Sequence, residues 1–219
     1  MRRFPTILLF GALALFLPLL AAAHDGEIDK INGAVRVEAG RQAGDVSTVN
    51  GAVYVGDKAT VQEASTVNGA VELGAKAQAT ELGTVNGAIS MGSASRVSGE
   101  VNAVNGSIHL ARGADVGGRL ENVNGAIVLD GAHGAGGLGT VAGDITVGAN
   151  SRVEGGILVD KPRGWFSGNR RTPVVVIGPH AVVQGTLEFR REVVLKVSDS
   201  AQIGPVKGAT VERFHGDAP

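Results

Sequence analysis

From Val49 onward, aliphatic residues return every six positions: Val55, Val61, Val67 and Leu73, then Ala79, Val85, Met91 and Val97. One extra residue enters before Val104, after which Leu110 and Val116 resume the step, and another enters before Val123 and Leu129. The fifth residue of most hexads is also small or aliphatic, as at Val53, Ala59, Ser65, Val71, Ala77, Ile89, Val101, Ile108, Ala114, Leu120 and Ile127. Alternation within a few residues, broken by a corner every six, describes short half-buried strands. A helix needs apolar steps of three and four residues and would be opposed by 34 Gly. On this register the first and fifth residues of each hexad point inward.

A second repeat is laid over the first. Asn-Gly recurs at Asn32, Asn50, Asn68, Asn86, Asn105 and Asn124, in steps of 18 or 19 residues, within phrases such as Val49-Asn50-Gly51-Ala52-Val53. A degraded copy, Val141-Ala142-Gly143-Asp144-Ile145, follows at the same step. Self-similarity at a fixed short period marks a stacked-repeat architecture. Three strands and three corners per repeat make one triangular coil, so the fold class expected is all-β: a single-domain parallel β-helix with about 18 residues per coil.

Asn and Gly reach the left-handed backbone region most easily, so the Asn-Gly pairs are expected to make one tight corner of every coil. Stacked coils lie about 4.7–4.9 Å apart. The six Asn side chains would then hydrogen-bond from coil to coil as a structural Asn ladder. The alternative is that this edge binds a ligand. One Trp, one Tyr and six Phe suit a narrow interior with little room for rings.

The repeat loosens after Asn124. Gly134 to Gly139 reads as a corner insertion, and Val147 and Val153 restore the step. Residues 160–173 break the pattern and read as a loop leaving the coil. Ile177, Val183, Phe189 and Leu195 then resume the six-residue step, with a last irregular coil around Ile203. Residues 24–30 and 205–219 are the expected caps, because a bare terminal coil exposes strand edges and core.

Arg2 and Arg3, an apolar run from Phe4 to Leu20 and Ala21-Ala22-Ala23 form a signal-peptide pattern over residues 1–23. The β-helix domain is then 24–219, exported to the periplasm or beyond, with no later run long enough to span a bilayer. Removing Arg2 and Arg3 leaves 18 basic residues against 21 acidic ones, which disfavours nucleic acid as a partner. The absence of Cys leaves stability to backbone ladders and apolar columns.

Thr-Val-Asn-Gly-Ala-Val/Ile at 48–53, 66–71 and 84–89 resembles the adhesin-like β-helix proteins of bacteria. Val97-Ser98-Gly99-Glu100-Val101 and Val183-Gln184-Gly185-Thr186-Leu187 are similar to phrases of bactofilins, the polymer-forming bacterial cytoskeletal proteins. The resemblance covers roughly residues 31–203 without the loop and implies a right-handed triangular helix, while the aliphatic-x-x-x-small hexad by itself equally suits a left-handed helix of the hexapeptide type. Neither family brings catalytic residues to carry over. Bactofilins usually act in the cytoplasm, and the signal-peptide pattern departs from that.

Candidate chemistry is thin. His24, His109, His133, His180 and His215 are scattered without metal-ligand spacing, so neither a metal site nor a cofactor is expected. His109, His133 and His180 would be the residues of a hexapeptide-type acyltransferase. Asp57, Asp115, Asp130 and Asp144 fall on different coils, without the clustering that polysaccharide-cleaving enzymes need. The loop carries the only Trp, Trp165, beside Phe166, with Lys161, Arg163, Arg170 and Arg171 around them. Aromatic and Arg residues together suit a binding loop for an envelope partner, anionic lipid or glycan. The plainer reading is that the rings cover an apolar flank. The expected function is a non-catalytic exported scaffold or adhesin-like protein, suited to self-association through its coil ends. The alternative is a carbohydrate-binding or carbohydrate-active β-helix protein.

Overall fold

The computed structural model describes residues 26–162, 171–216 and 218, so the signal-peptide pattern and His24 lie outside the described residues. The described chain contains strands and turns and no helix. It winds through three parallel sheets in turn, forming a parallel β-helix. The first face has ten strands, from Ile28–Asn32 to Val206–Lys207, and the second has ten, from Val35–Val37 to Val211–Phe214. The third has seven two-residue strands, from Gln78–Ala79 to Gln202–Ile203, and the bridges Gln42↔Thr60 and Thr60↔Gln78 extend it toward the N-terminus.

Side chains two apart point inward on each face, as the period-two rule requires. One middle coil buries Leu82, Thr84, Ile89, Met91, Ser95 and Val97. The second and third faces follow the hexad register, with Val53, Val55, Ala59 and Val61 all buried. The first face does not. The Val before each Asn, expected inward, points outward: Val49, Val85 and Val104 are 41%, 38% and 37% exposed. Ser65 is likewise half-exposed, while its neighbour Ala64 is buried. Here the inward pair is Val46 and Thr48, then Ala64 and Thr66, then Leu82 and Thr84. The cause lies in the corners. Those flanking this face are not equal in length to the others, so an even step of six drifts onto the outer surface.

Left-handed residues that carry a Cβ stand at another corner than the Asn-Gly pairs. They form a column at the corner between the second and third faces: Lys58, Lys76, Ala94, Asn150 and His180 have φ of 56–59°, joined by Gly40, Gly113 and Gly131. None of the six ladder Asn has positive φ. At the Asn-Gly corner it is the Gly that takes positive φ, at Gly33, Gly51, Gly87 and Gly125, and close stacking gives a second reason for it. A Cβ on Gly69 would lie 1.9 Å from the Gly51 carbonyl oxygen of the preceding coil.

Two further expectations are corrected. Gly134 to Gly139 contains no insertion: His133–Gly134 pairs with Asp115–Val116, and Leu138 pairs with Leu120 at the ordinary 18-residue spacing. The glycines there keep the stacked backbones close. The caps are not separate pieces either. Ile28–Asn32 is already the first strand of the first face, and Val206–Lys207 and Val211–Phe214 continue two faces to the C-terminal end. Of the residues 160–173 expected to form a loop, 163–170 lie outside the described residues. The segment connects Ile157–Val159 to Val174–Ile177, a place where the six earlier coils from Asn32 to Asn124 have only the Asn-Gly corner.

Candidate functional site

The edge between the first and second faces is the most regular surface of the molecule. The strands align Asn32, Asn50, Asn68, Asn86, Asn105 and Asn124 one above another. Each Nδ2 donates to the Oδ1 of the Asn one coil back: Asn50 to Asn32 at 3.1 Å, Asn68 to Asn50 at 2.9 Å and Asn86 to Asn68 at 3.0 Å. Asn105 to Asn86 at 3.1 Å and Asn124 to Asn105 at 2.9 Å complete the row. The ladder is exposed, and its inner amides are occupied by one another, which leaves little of them for a ligand.

Beneath the ladder lies a second row that the hexad register did not assign. Thr48, Thr66 and Thr84 point inward, and their Oγ1 atoms donate to the carbonyls of Gly33, Gly51 and Gly69 at 3.1, 2.8 and 3.0 Å. Each hydroxyl thus satisfies a corner carbonyl of the preceding coil. The signal was present in the sequence: Thr recurs at 48, 66 and 84, two residues before the Asn. In the next two coils Ala103 and Asn122 take the position.

Of the loop residues, Arg163, Trp165, Phe166 and Arg170 lie outside the described residues. Arg171 is described, and its Nη2 donates to Asp144 Oδ2 at 2.6 Å. Asp144 Oδ1 also accepts from the Val174 backbone N–H at 2.9 Å. Arg191 donates to the carbonyls of Val141 and Arg171. On the other side, Asp160 is 6% exposed and meets Arg190 Nη1 at 3.4 Å, while Arg190 Nε binds Glu188 at 2.7 Å. Both stems of the loop are therefore clamped to neighbouring coils by charged groups. Arg171 serves that clamp, and the sequence could not show it because Asp144 and Arg171 are 27 residues apart.

The histidines do not converge. His109 is exposed on the second face. His180 occupies a left-handed corner, and its backbone N–H donates to Ser200. His215 meets Asp199. His133 belongs to a charge ladder on the third face: its Nδ1 lies 2.6 Å from Asp115 Oδ1 and its Nε2 3.5 Å from Glu154. Arg96 flanks Asp115 at 3.0 Å, and Arg152 flanks Glu154 at 3.5 Å. Of the other candidate carboxylates, Asp57 accepts from the Ala75 backbone N–H. Glu63 and Glu81 face one another on adjacent coils. Partial burial, then the charges of Glu63 and Glu100, raises the Glu81 carboxyl above the ordinary carboxylate range. No group of three or more metal-ligating side chains occurs among the described residues.

One shallow groove of about 320 Å³ runs along the second face. It is lined by Arg36, Tyr54, Asp57, Glu72 and Ser90, among others. Arg36 stacks over the Tyr54 ring at 4.6 Å from its centroid. Comparison with family models, curated proteins and solved structures gives no match.

Proposed function

We propose that this protein is a non-catalytic exported scaffold of the bacterial envelope, adhesin-like in its use of a rigid prism to present strand faces. The observation that supports this reading best is the in-register run of two ten-stranded faces, braced at one edge by stacked Asn amides. Such a rod is stiff because every inner coil is bonded to two others. Export rests on the signal-peptide pattern at residues 1–23.

Self-association through the coil ends is part of this reading. Among the described residues, the end strands pair on one side only. The two ends differ in character. At the N-terminal end Lys30 occupies the column of Thr48, and its Nζ donates to the Ala34 carbonyl, so a charge stands across the coil. At the C-terminal end Ile203, Val206 and Val211 remain half-exposed. With Ile31 of the first strand 72% exposed, both ends carry apolar surface for such contacts. Light scattering and negative-stain imaging of the processed 24–219 chain across concentration test the proposal. Dimers or filaments, or retention on envelope fractions, are expected. A monomer at every concentration with no envelope binding overturns it.

A carbohydrate-binding role is the second reading, favoured by the Tyr54 groove, where a ring, a guanidinium, a carboxylate and a hydroxyl line one shallow trough. A glycan screen with native protein and Tyr54→Ala separates the two. Binding lost in the variant supports the second reading, and no binding by native protein removes it.

A further inference from the structure

Asn-Gly is the peptide step most open to spontaneous deamidation, because Gly offers no Cβ to hinder attack by its own backbone nitrogen. In that reaction the Gly nitrogen loses its proton and attacks the Asn Cγ. A C–N bond forms, the Cγ–Nδ2 bond breaks and ammonia leaves, giving a five-membered succinimide. Water then opens the ring to aspartate or isoaspartate. A Gly N–H already committed to a carbonyl must first be released, so the step slows wherever that bond is held.

Five of the six steps are held. The N–H groups of Gly33, Gly51, Gly69, Gly87 and Gly106 donate to the carbonyls of Asn50, Asn68, Asn86, Asn105 and Asn124 at 2.8–3.0 Å. The sixth is different. The Gly125 N–H has no hydrogen-bond partner among the described residues. The cause is the degraded repeat. Opposite Gly125 the pairing of the first face stops at Glu121↔Gly139, and the Gly143 N–H turns to Thr140 Oγ1 at 3.0 Å. Asn122 holds the Gly125 carbonyl, at 2.8 Å from its Nδ2, and leaves the nitrogen free.

The side chain at this step is also less restrained than those of the four inner rungs. Asn50, Asn68, Asn86 and Asn105 each donate to one neighbour and accept from another. Asn124 donates to Asn105 but accepts from no rung beyond, because Ala142 stands there. Asn32, at the other end, is also bonded on one side only, yet its Gly33 N–H is held by Asn50 at 2.8 Å. Asn124 and Gly125 are both exposed, so water and hydroxide reach them.

We infer that Asn124–Gly125 is a self-modification site, at which the folded protein converts Asn124 to aspartate or isoaspartate while the other five Asn-Gly steps are protected. The product carboxylate cannot donate to Asn105 Oδ1. Isoaspartate further lengthens the backbone at the corner. Both loosen the last rung of the ladder.

The experiment is peptide mapping by mass spectrometry of purified protein aged in mildly alkaline buffer, folded and in denaturant. In the folded sample, conversion at Asn124 is expected about tenfold faster than at any other Asn-Gly step, the factor that a hydrogen-bond difference of about 1.4 kcal/mol produces. In denaturant the six sites should converge. Asn124→Gln, aged in parallel, should leave the folded protein almost unmodified. Conversion at Asn32 or an inner Asn as fast as at Asn124 overturns the inference, as does an Asn124 that stays intact in the folded sample while the denatured sample reacts.

Discussion

Thr66 Oγ1 donates to the Gly51 carbonyl, one coil back, at 2.8 Å. No other donor to that carbonyl is present among the described residues. Thr66→Val keeps the shape and removes the hydroxyl, leaving a corner carbonyl unpaired beside a buried methyl. We expect a loss of about 1–2 kcal/mol in chemical denaturation. Thr66→Ser, which keeps the donor, should lose clearly less. Equal losses in the two variants would show that the methyl packing matters and the hydrogen bond does not.

The Asn ladder should respond by position. Asn68→Ala removes two amide bonds, to Asn50 and from Asn86, whereas Asn32→Ala removes one. With about 0.5–1.5 kcal/mol per bond, the inner substitution should cost roughly twice the terminal one. Thermal melts of both variants decide it, and an equal, negligible effect would mean that water replaces the ladder without cost.

Glycine should act in opposite directions at two corners. Ala94 has φ of 56°, a conformation costing about 1–2 kcal/mol for a residue with a Cβ. Ala94→Gly should therefore stabilise the fold, by about 1 kcal/mol after the added freedom of the unfolded chain is counted. Gly69→Ala places a Cβ 1.9 Å from the Gly51 carbonyl oxygen, a backbone clash that no rotamer relieves. We expect a loss of roughly 3 kcal/mol or more, or no folded protein. Melting temperatures moving the same way in both variants would contradict this assignment of the corners.

Glu81 sets a pH dependence of definite sign. Its carboxyl is raised in the folded state by burial and by Glu63 and Glu100, so the folded chain holds this proton more tightly than the unfolded one. Stability from this group is full below the ordinary carboxylate range and declines as pH rises through the raised value. Glu81→Gln should increase the melting temperature at neutral pH and flatten that decline. A lower melting temperature at neutral pH would mean that the carboxylate is stabilised by a partner.

The period of the chain carried most of the fold. Eighteen residues with three apolar pairs admit few compact arrangements, and the three parallel sheets are the one expected. An even step of six puts Val49, Val85 and Val104 on the wrong side of the first face, because the corners are of unequal length. It also left Thr48, Thr66 and Thr84 without a role, since a hydroxyl facing a neighbouring carbonyl is not visible in hydropathy. The loop clamp of Asp144, Asp160, Arg171 and Arg190 was equally illegible, because its partners are separated by a whole coil and an excursion.

The sequence by itself determined the coil, its length and the alignment of six Asn-Gly pairs, because a periodic chain repeats the same local geometry and brings like residues into register. Only the tertiary structure decided which side of the first face is buried, which corner takes left-handed residues that carry a Cβ and which Gly N–H is left unpaired. Those depend on what the adjacent coil offers at each height. At Gly125 the answer turns on a single degraded repeat, in which the next coil no longer supplies a carbonyl to that N–H.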